Sequence, residues 1–190
     1  MQGQLDIPLN EIGLKQAQAV GLALREERFD VIYSSDLVRA RQTAGPISNF
    51  LSIKIREEKN LRERHYGIFE RLTYAEVQKK YPEDYARFAA RDPDYAFRTG
   101  ESLKDFSARS ISIITRIVKN HPDQSVLVFT HGGVLDKLYR HITGLPLSAE
   151  RNFGIPNAGL NRVEVTVSGW QIRAWADVAH LEGALDDLPE

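Results

Sequence analysis

Ser125-Val126-Leu127-Val128-Phe129-Thr130-His131-Gly132-Gly133 is the stretch whose reading decides the fold. Val126 to Phe129 is an unbroken apolar run rich in β-branched and aromatic residues, which suits a strand covered on both faces inside a parallel sheet. The run stops at Thr130. After the glycines Val134, Leu135, Leu138, Tyr139 and Ile142 recur at helical spacing, so the unit reads strand, tight turn, helix. A histidine at such a turn stands at the carboxyl end of a strand, where open α/β sheets place their ligands. It also lies beside helix N–H groups that favour an anion. His131 is therefore the first candidate for chemistry, with a packed structural histidine as the other role open to it.

The segments upstream repeat this alternation. Asn10 is a candidate N-cap, and Leu14, Ala17, Gly21 and Leu24 line one face of a helix ending near Arg25. Asp30 to Ser35 reads as a strand. Leu37, Ala40, Ala44, Ile47 and Leu51 then keep helical spacing, with Pro46 inside the pattern predicting a kink or an early stop. Ile53 to Glu57 alternates as a short strand. Thr73 and Glu76 stand at capping-box spacing, Pro82 divides the following helical stretch in two, and residues 73–99 read as an inserted helical flap. Leu103, Phe106, Ser110, Ile113 and Ile117 mark a long amphipathic helix leading to the Val126 strand. Val163, Val165 and Val167, a Ser168-Gly169 turn, then Trp170, Ile172 and Ala174 predict a terminal β-hairpin. The expected architecture is a three-layer α/β/α sandwich with a mostly parallel sheet, the flap, and the hairpin at one edge, organised as one domain over residues 1–190.

Composition narrows the partners. Of 190 residues 42% are hydrophobic and 27% charged, ordinary for a globular domain, and a formal net charge of -1 leaves no electrostatic footprint for nucleic acid or an anionic bilayer. Any phosphate binding must come from a local cluster. The lack of cysteine removes disulfides and thiolate nucleophiles and fits a reducing compartment. With no basic leader and no apolar stretch of bilayer-spanning length, the expectation is a cytoplasmic protein.

Two further segments carry chemistry-bearing side chains. Arg39 follows the Asp30 to Ser35 strand within one helical turn, so its guanidinium can reach the sheet end that holds His131. A planar fork of donors matches the oxygens of a phosphoryl group as a lysine cannot. Glu63 sits in Leu61-Arg62-Glu63-Arg64-His65-Tyr66-Gly67, a polar loop that suits the mouth of a site. A carboxylic acid there could protonate a leaving alkoxide if burial and negative neighbours raise its pKa. A solvated helix arginine and a surface carboxylate are the plain alternatives.

Taken together, Ser34-Ser35-Asp36-Leu37-Val38-Arg39-Ala40-Arg41-Gln42-Thr43-Ala44, the Leu61 to Gly67 segment, Gly100-Glu101-Ser102 and Thr130-His131-Gly132-Gly133 resemble the histidine phosphatase superfamily. The likeness is to the phosphoglycerate mutase-like branch with its broad-specificity phosphatases. Gln2 to Leu9 also resembles the segment just beyond that family's first motif. The resemblance implies phosphoryl transfer through a phosphohistidine on a small phosphorylated metabolite, without a metal or organic cofactor. By the same resemblance Arg39 holds phosphate oxygens, His131 stabilises charge on the transferring group, and Glu63 is the general acid. Gln2, Gly3, Arg64, Tyr66, Gly132 and Asn157 fall where substrate is bound or its access shaped.

The pattern departs from the family at one point. No Arg-His-Gly occurs in the 190 residues, so the nucleophile of the resemblance is not among them. The expectation is an N-terminally shortened enzyme, impaired or inactive as it stands, whose complete form is a phosphomonoester phosphatase. A phosphoglycerate mutase, and a catalytically dead relative that binds phosphate esters or a protein, are the alternatives. The oligomeric state is open, a homodimer through the edge hairpin included.

Overall fold

A computed structural model describes residues 1–181. Asn10 caps helix α1 (Glu11–Leu24), its side chain accepting from the Gly13 N–H, and Leu24, Val20 and Ala17 turn inward. Strand β1 (Val31–Ser34) is followed by α2 (Val38–Leu51) and β2 (Ile55–Glu57). Thr73 and Glu76 close the capping box of α3 (Tyr74–Lys80), and Pro82 opens α4 (Pro82–Ala89), where its missing N–H is no loss. Ser102 caps α5 (Leu103–Asn120), which leads to β3 (Val126–Phe129) and α6 (Gly132–Thr143).

The parallel sheet runs β2-β1-β3, with Val31 opposite Val126 and Ser34 opposite both Phe129 and Glu57. Strand alternation sorts its side chains into two apolar layers. Ile32, Leu127 and Phe129 pack with α1 and α2, whereas Tyr33, Val126 and Val128 pack with α5 and α6. Helices thus cover both faces, and the carboxyl ends of all three strands share one edge.

Two expectations change in the structure. Pro46 neither stops nor divides α2, which runs through it to Leu51. Tertiary packing outweighs the local cost, because α1 and α2 approach so closely that a Cβ on Gly21 would lie 2.6 Å from the Pro46 ring, with buried Ile47 beside it. The hairpin β4 (Leu160–Thr166) and β5 (Gly169–Asp177) forms its own two-stranded sheet and does not extend the ladder of β3. It is held by side chains: Val163 and Trp170 join one apolar layer and Leu160 the other.

Residues 66–97 build a third apolar cluster apart from the sheet. Phe69, Val77, Tyr95 and Phe97 are buried, and Tyr66, Tyr81, Tyr85 and Phe88 pack around them. Edge-to-face contacts such as Phe69–Phe97, with ring centroids 4.9 Å apart, give this helical segment its own small core.

Candidate active site

His131 is the last residue before α6 and is 8% exposed. The Ser35 hydroxyl, just past the end of β1, lies 2.8 Å from its Nε2. Ser35 is placed there by its own backbone, whose N–H donates to the Phe129 carbonyl and prolongs the β1–β3 ladder by one bond. Burial, reinforced by the positive charges of Arg39 and Arg109, pushes the His131 imidazole down to about 3, so the ring is neutral near pH 7.

Glu63 reaches the same point from a separate segment. Its Oε2 accepts the Gly133 N–H at 2.9 Å and its Oε1 the Arg64 N–H at 2.7 Å. The carboxylate therefore satisfies one of the orphan donors in the first turn of α6, where a negative group is favoured. A Cβ at position 133 would stand 2.0 Å from Glu63 Oε1, so a larger residue there displaces this carboxylate. The carboxylate also lies within electrostatic reach of the Arg39 guanidinium.

The loop that carries Glu63 is fixed from three sides. Thr130 Oγ1 donates to the Leu61 carbonyl at 2.8 Å, and Gln4 Nε2 donates to the Glu63 carbonyl at 3.1 Å. Arg109 on α5 grips Glu101 bidentately at 2.7 and 2.9 Å and donates to the carbonyls of Asn60, Arg62 and Glu63. Arg62 pairs with Asp36 at 2.6 Å through two donors, tying the loop to the end of β1 and holding the Asp36 carboxyl below its ordinary range.

Arg39, in the first turn of α2, turns its fork toward the N-terminal segment, donating to the carbonyls of Leu5 and Gly3 at 2.8 Å each. Burial lowers its pKa, opposed by the charges of Glu63, Asp6 and Glu70. Gly3 adopts φ +54°, and a Cβ there would lie 2.2 Å from Glu70 Oε1, the same oxygen that accepts the N–H groups of Gln4 and Tyr66. Arg39, Glu63 and His131, from three distant parts of the chain, thus converge at the carboxyl edge of the parallel sheet.

The remaining sequence candidates are distributed around this centre. Gly132 opens α6, and the loop carrying exposed Asn157 passes beside it, with Ile155 Cγ2 3.7 Å from where a Gly132 Cβ would be. Gln2 is exposed on the N-terminal segment. Arg64 is buried and turned away from Glu63: it donates to the carbonyls of Tyr95 and Glu101 and stacks 4.4 Å from the Phe97 ring centroid. Tyr66 belongs to the aromatic cluster, and burial followed by the nearby Glu63 charge pushes its phenol up.

Of the other histidines, His65 lies 3.7 Å from Glu70, His121 contacts Tyr33 and Gln124, His141 meets the Trp170 ring edge, and His180 contacts the Ala158 carbonyl. Ser35 and Arg109 escaped the sequence reading. Ser35 stood inside the quoted motif and could have been singled out there, whereas nothing in the helical pattern of α5 marks Arg109. Among the described residues no group of three or more His, Cys, Asp or Glu side chains is placed to hold a metal ion.

A half-buried guanidinium, a neutral imidazole and a carboxyl group meet at the open edge of a parallel sheet, where α/β enzymes place their ligands. The model of the histidine phosphatase superfamily (branch 1) matches residues 1–178. The chain is 38% identical over 184 residues to a metal-independent phosphoserine phosphatase of Arabidopsis thaliana, covering 95% of this chain and 76% of that protein. It is 33% identical over 199 residues to a probable phosphoglycerate mutase, GpmB, of Yersinia pestis, covering 99% and 90%. Among solved structures, Bacillus stearothermophilus YhfR superposes with a TM-score of 0.89 at 30% identity, over 95% of this chain and 90% of that one. A mycobacterial glucosyl-3-phosphoglycerate phosphatase gives 0.79 at 32% identity, over 94% and 92%. The chain belongs to the histidine phosphatase superfamily, and its chemistry at that level is phosphohydrolase or mutase chemistry.

Proposed function

We propose that this is a phosphomonoester phosphatase acting on a small phosphorylated metabolite in the cytoplasm, with Arg39, His131 and Glu63 as its catalytic residues. The observation that carries the reading is the convergence of these side chains, with Glu63 seated on the Gly133 N–H one residue from the His131–Gly132 turn.

In this reading the Arg39 fork and the His131 N–H hold the equatorial oxygens of the phosphoryl group. An imidazole nitrogen attacks phosphorus, the ester P–O bond breaks, and Glu63 gives its proton to the departing alkoxide. Water then gives a proton back to the Glu63 carboxylate and attacks phosphorus, the P–N bond breaks, and inorganic phosphate leaves. The attacking imidazole cannot be His131 without losing its charge-stabilising partner across the phosphate, and no other histidine of the described residues lies beside Arg39 and Glu63. The 190 residues alone are thus expected to bind phosphate esters and to turn them over feebly. Hydrolysis is favoured over isomerisation because the helical segment between Thr73 and Thr99 is small.

The test measures free phosphate released from a panel of phosphomonoesters, beside isomerisation of 3-phosphoglycerate. It uses this chain and a version extended at Met1 by a strand ending in Arg-His-Gly. Release restored only in the extended version supports the reading. Isomerisation exceeding release would make the protein a mutase, and silence of both versions with phosphate still bound would favour a binding protein.

A further inference from the structure

The Ser35 hydroxyl, beside the phosphoryl pocket, is a group the mechanism above does not use. Its place is fixed by the backbone of two neighbouring strands. Ser34 pairs with Phe129 in the β1–β3 ladder, the Ser35 N–H donates to the Phe129 carbonyl at 2.9 Å, and the Ser34 hydroxyl donates to the Ser35 carbonyl at 2.8 Å. His131 follows the end of β3, and its carbonyl accepts the Leu135 N–H at 3.1 Å, which ties it to the first turn of α6. Serine and imidazole therefore stand just past the ends of adjacent strands, 0% and 8% exposed, with Ser35 Oγ 2.8 Å from His131 Nε2.

Proton counting gives this contact a direction. A serine hydroxyl carries one hydrogen and two acceptor sites, and the Leu37 N–H already donates to Ser35 Oγ at 3.3 Å. Were His131 to carry its proton on Nε2, that oxygen would receive two N–H groups. Its own buried hydrogen would then have no acceptor among the described residues, a costly arrangement. With the ring proton on Nδ1 every group is satisfied, because the hydroxyl hydrogen donates to the Nε2 lone pair. The ring is neutral near pH 7 and so has a single N–H to give. Among the described residues Ser35 is its hydrogen-bond partner, and the imidazole makes no cap bond to α6. The buried polar side-chain atoms without a partner are Ser110 Oγ and Arg140 Nη2, so His131 Nδ1 is not sealed from the pocket. Phosphoryl oxygens only accept, and they bind an Nδ1–H but are repelled by an Nδ1 lone pair.

We propose that Ser35 is a positioning residue of this pocket: its hydroxyl donates to His131 Nε2 and keeps the ring proton on Nδ1, the nitrogen that meets the phosphoryl oxygens. This rests on the reading above, in which the pocket takes a phosphoryl group. Ser35 touches no substrate atom. It acts by choosing which ring nitrogen is the donor and by holding the ring plane against the end of β1, as the orienting partner of a catalytic histidine does elsewhere.

Proton–nitrogen NMR of the isotope-labelled 190-residue protein near pH 7 tests this, with the His131 signals identified by their loss in His131→Gln. In the wild-type chain, before and after addition of inorganic phosphate, Nδ1 is expected to resonate as a protonated nitrogen and Nε2 as a bare one. In phosphate-free Ser35→Ala both signals should move toward the averaged positions of a mixed ring population. Inorganic phosphate should also bind Ser35→Ala about tenfold more weakly in calorimetry, the worth of one hydrogen bond to a charged group. A serine that merely braces the turn into α2 could change affinity but would not move the ring signals. A wild-type ring protonated on Nε2 overturns the proposal whether or not Ser35→Ala folds, and so do ring signals or a phosphate affinity that Ser35→Ala leaves in place. Failure of the wild-type chain to bind phosphate overturns the phosphatase reading instead, while the ring signals still decide which nitrogen carries the proton.

Discussion

Glu63 and Arg64 are adjacent in sequence and serve two regions built on different principles. Glu63 faces a pocket whose parts are joined by long-range polar bonds: a carboxylate on a helix N–H, a guanidinium on carbonyls, an imidazole on a hydroxyl. Arg64 faces the aromatic cluster of residues 66–97, where its guanidinium stacks on Phe97 and donates to the Tyr95 and Glu101 carbonyls. The pocket thus owes little to apolar burial, and the helical segment owes most of its order to it. Function and local stability should therefore respond to different substitutions, although the two regions meet at the Glu63–Arg64 peptide bond and again where Glu70 holds the N-terminal segment.

The largest effect that separates them is expected at Phe97, which is 2% exposed among Phe69, Tyr95 and Phe88. Phe97→Ala should cost about 3–5 kcal/mol in urea unfolding, the usual range for emptying a buried aromatic site. Phosphate affinity should stay within about twofold. A parallel collapse of phosphate binding would show that the two regions are one cooperative unit.

At the pocket, Arg39→Ala should weaken inorganic phosphate binding by about 2–3 kcal/mol in calorimetry, the worth of charge-assisted bonds to a half-buried guanidinium. The unfolding midpoint should move less than in Phe97→Ala.

His131 supplies the pH dependence. Unfolded, its imidazole takes up a proton below about 6.5, whereas the folded ring does so only near 3, so between these values the unfolded chain binds more protons. Stability accordingly falls as the pH drops from 6.5 toward 3, by up to about 1.4 kcal/mol per pH unit from this group. His131→Gln should flatten that slope in urea titrations between pH 6 and 4. An unchanged slope would assign the acid sensitivity to other groups.

The smallest effect is expected at Glu63→Gln, which keeps an acceptor for the Gly133 N–H and loses the charge at the start of α6. A loss of about 0.5–1 kcal/mol in thermal unfolding is predicted. A cost approaching that of Phe97→Ala would mean the pocket is structural and not polar scaffolding for chemistry.

Most elements were legible because local signals agreed. Asn10, Thr73 with Glu76, and Pro82 each announce a helix boundary through chemistry confined to a few residues, and the apolar run 126–129 announces a strand covered on both faces. The early stop that Pro46 offered did not occur because its cost is local while its compensation, the close approach of α1 at Gly21, lies elsewhere in the chain. The hairpin was legible as a hairpin, yet its separation from the β3 ladder was not, since alternation specifies faces and says nothing of lateral partners.

The site divides the same way. Residue types made His131, Glu63 and Arg39 candidates, and the resemblance to the family implied that they act together, because phosphoryl chemistry needs a fork, an imidazole and an acid. Only the tertiary structure decided that Glu63 rests on Gly133, that Arg109 clamps the loop beneath it, and that Arg64 faces the other way. The sequence fixes which donors and acceptors exist. Which of them meet depends on long-range packing that leaves a buried polar group one partner and not another, and no short window of residues carries that information.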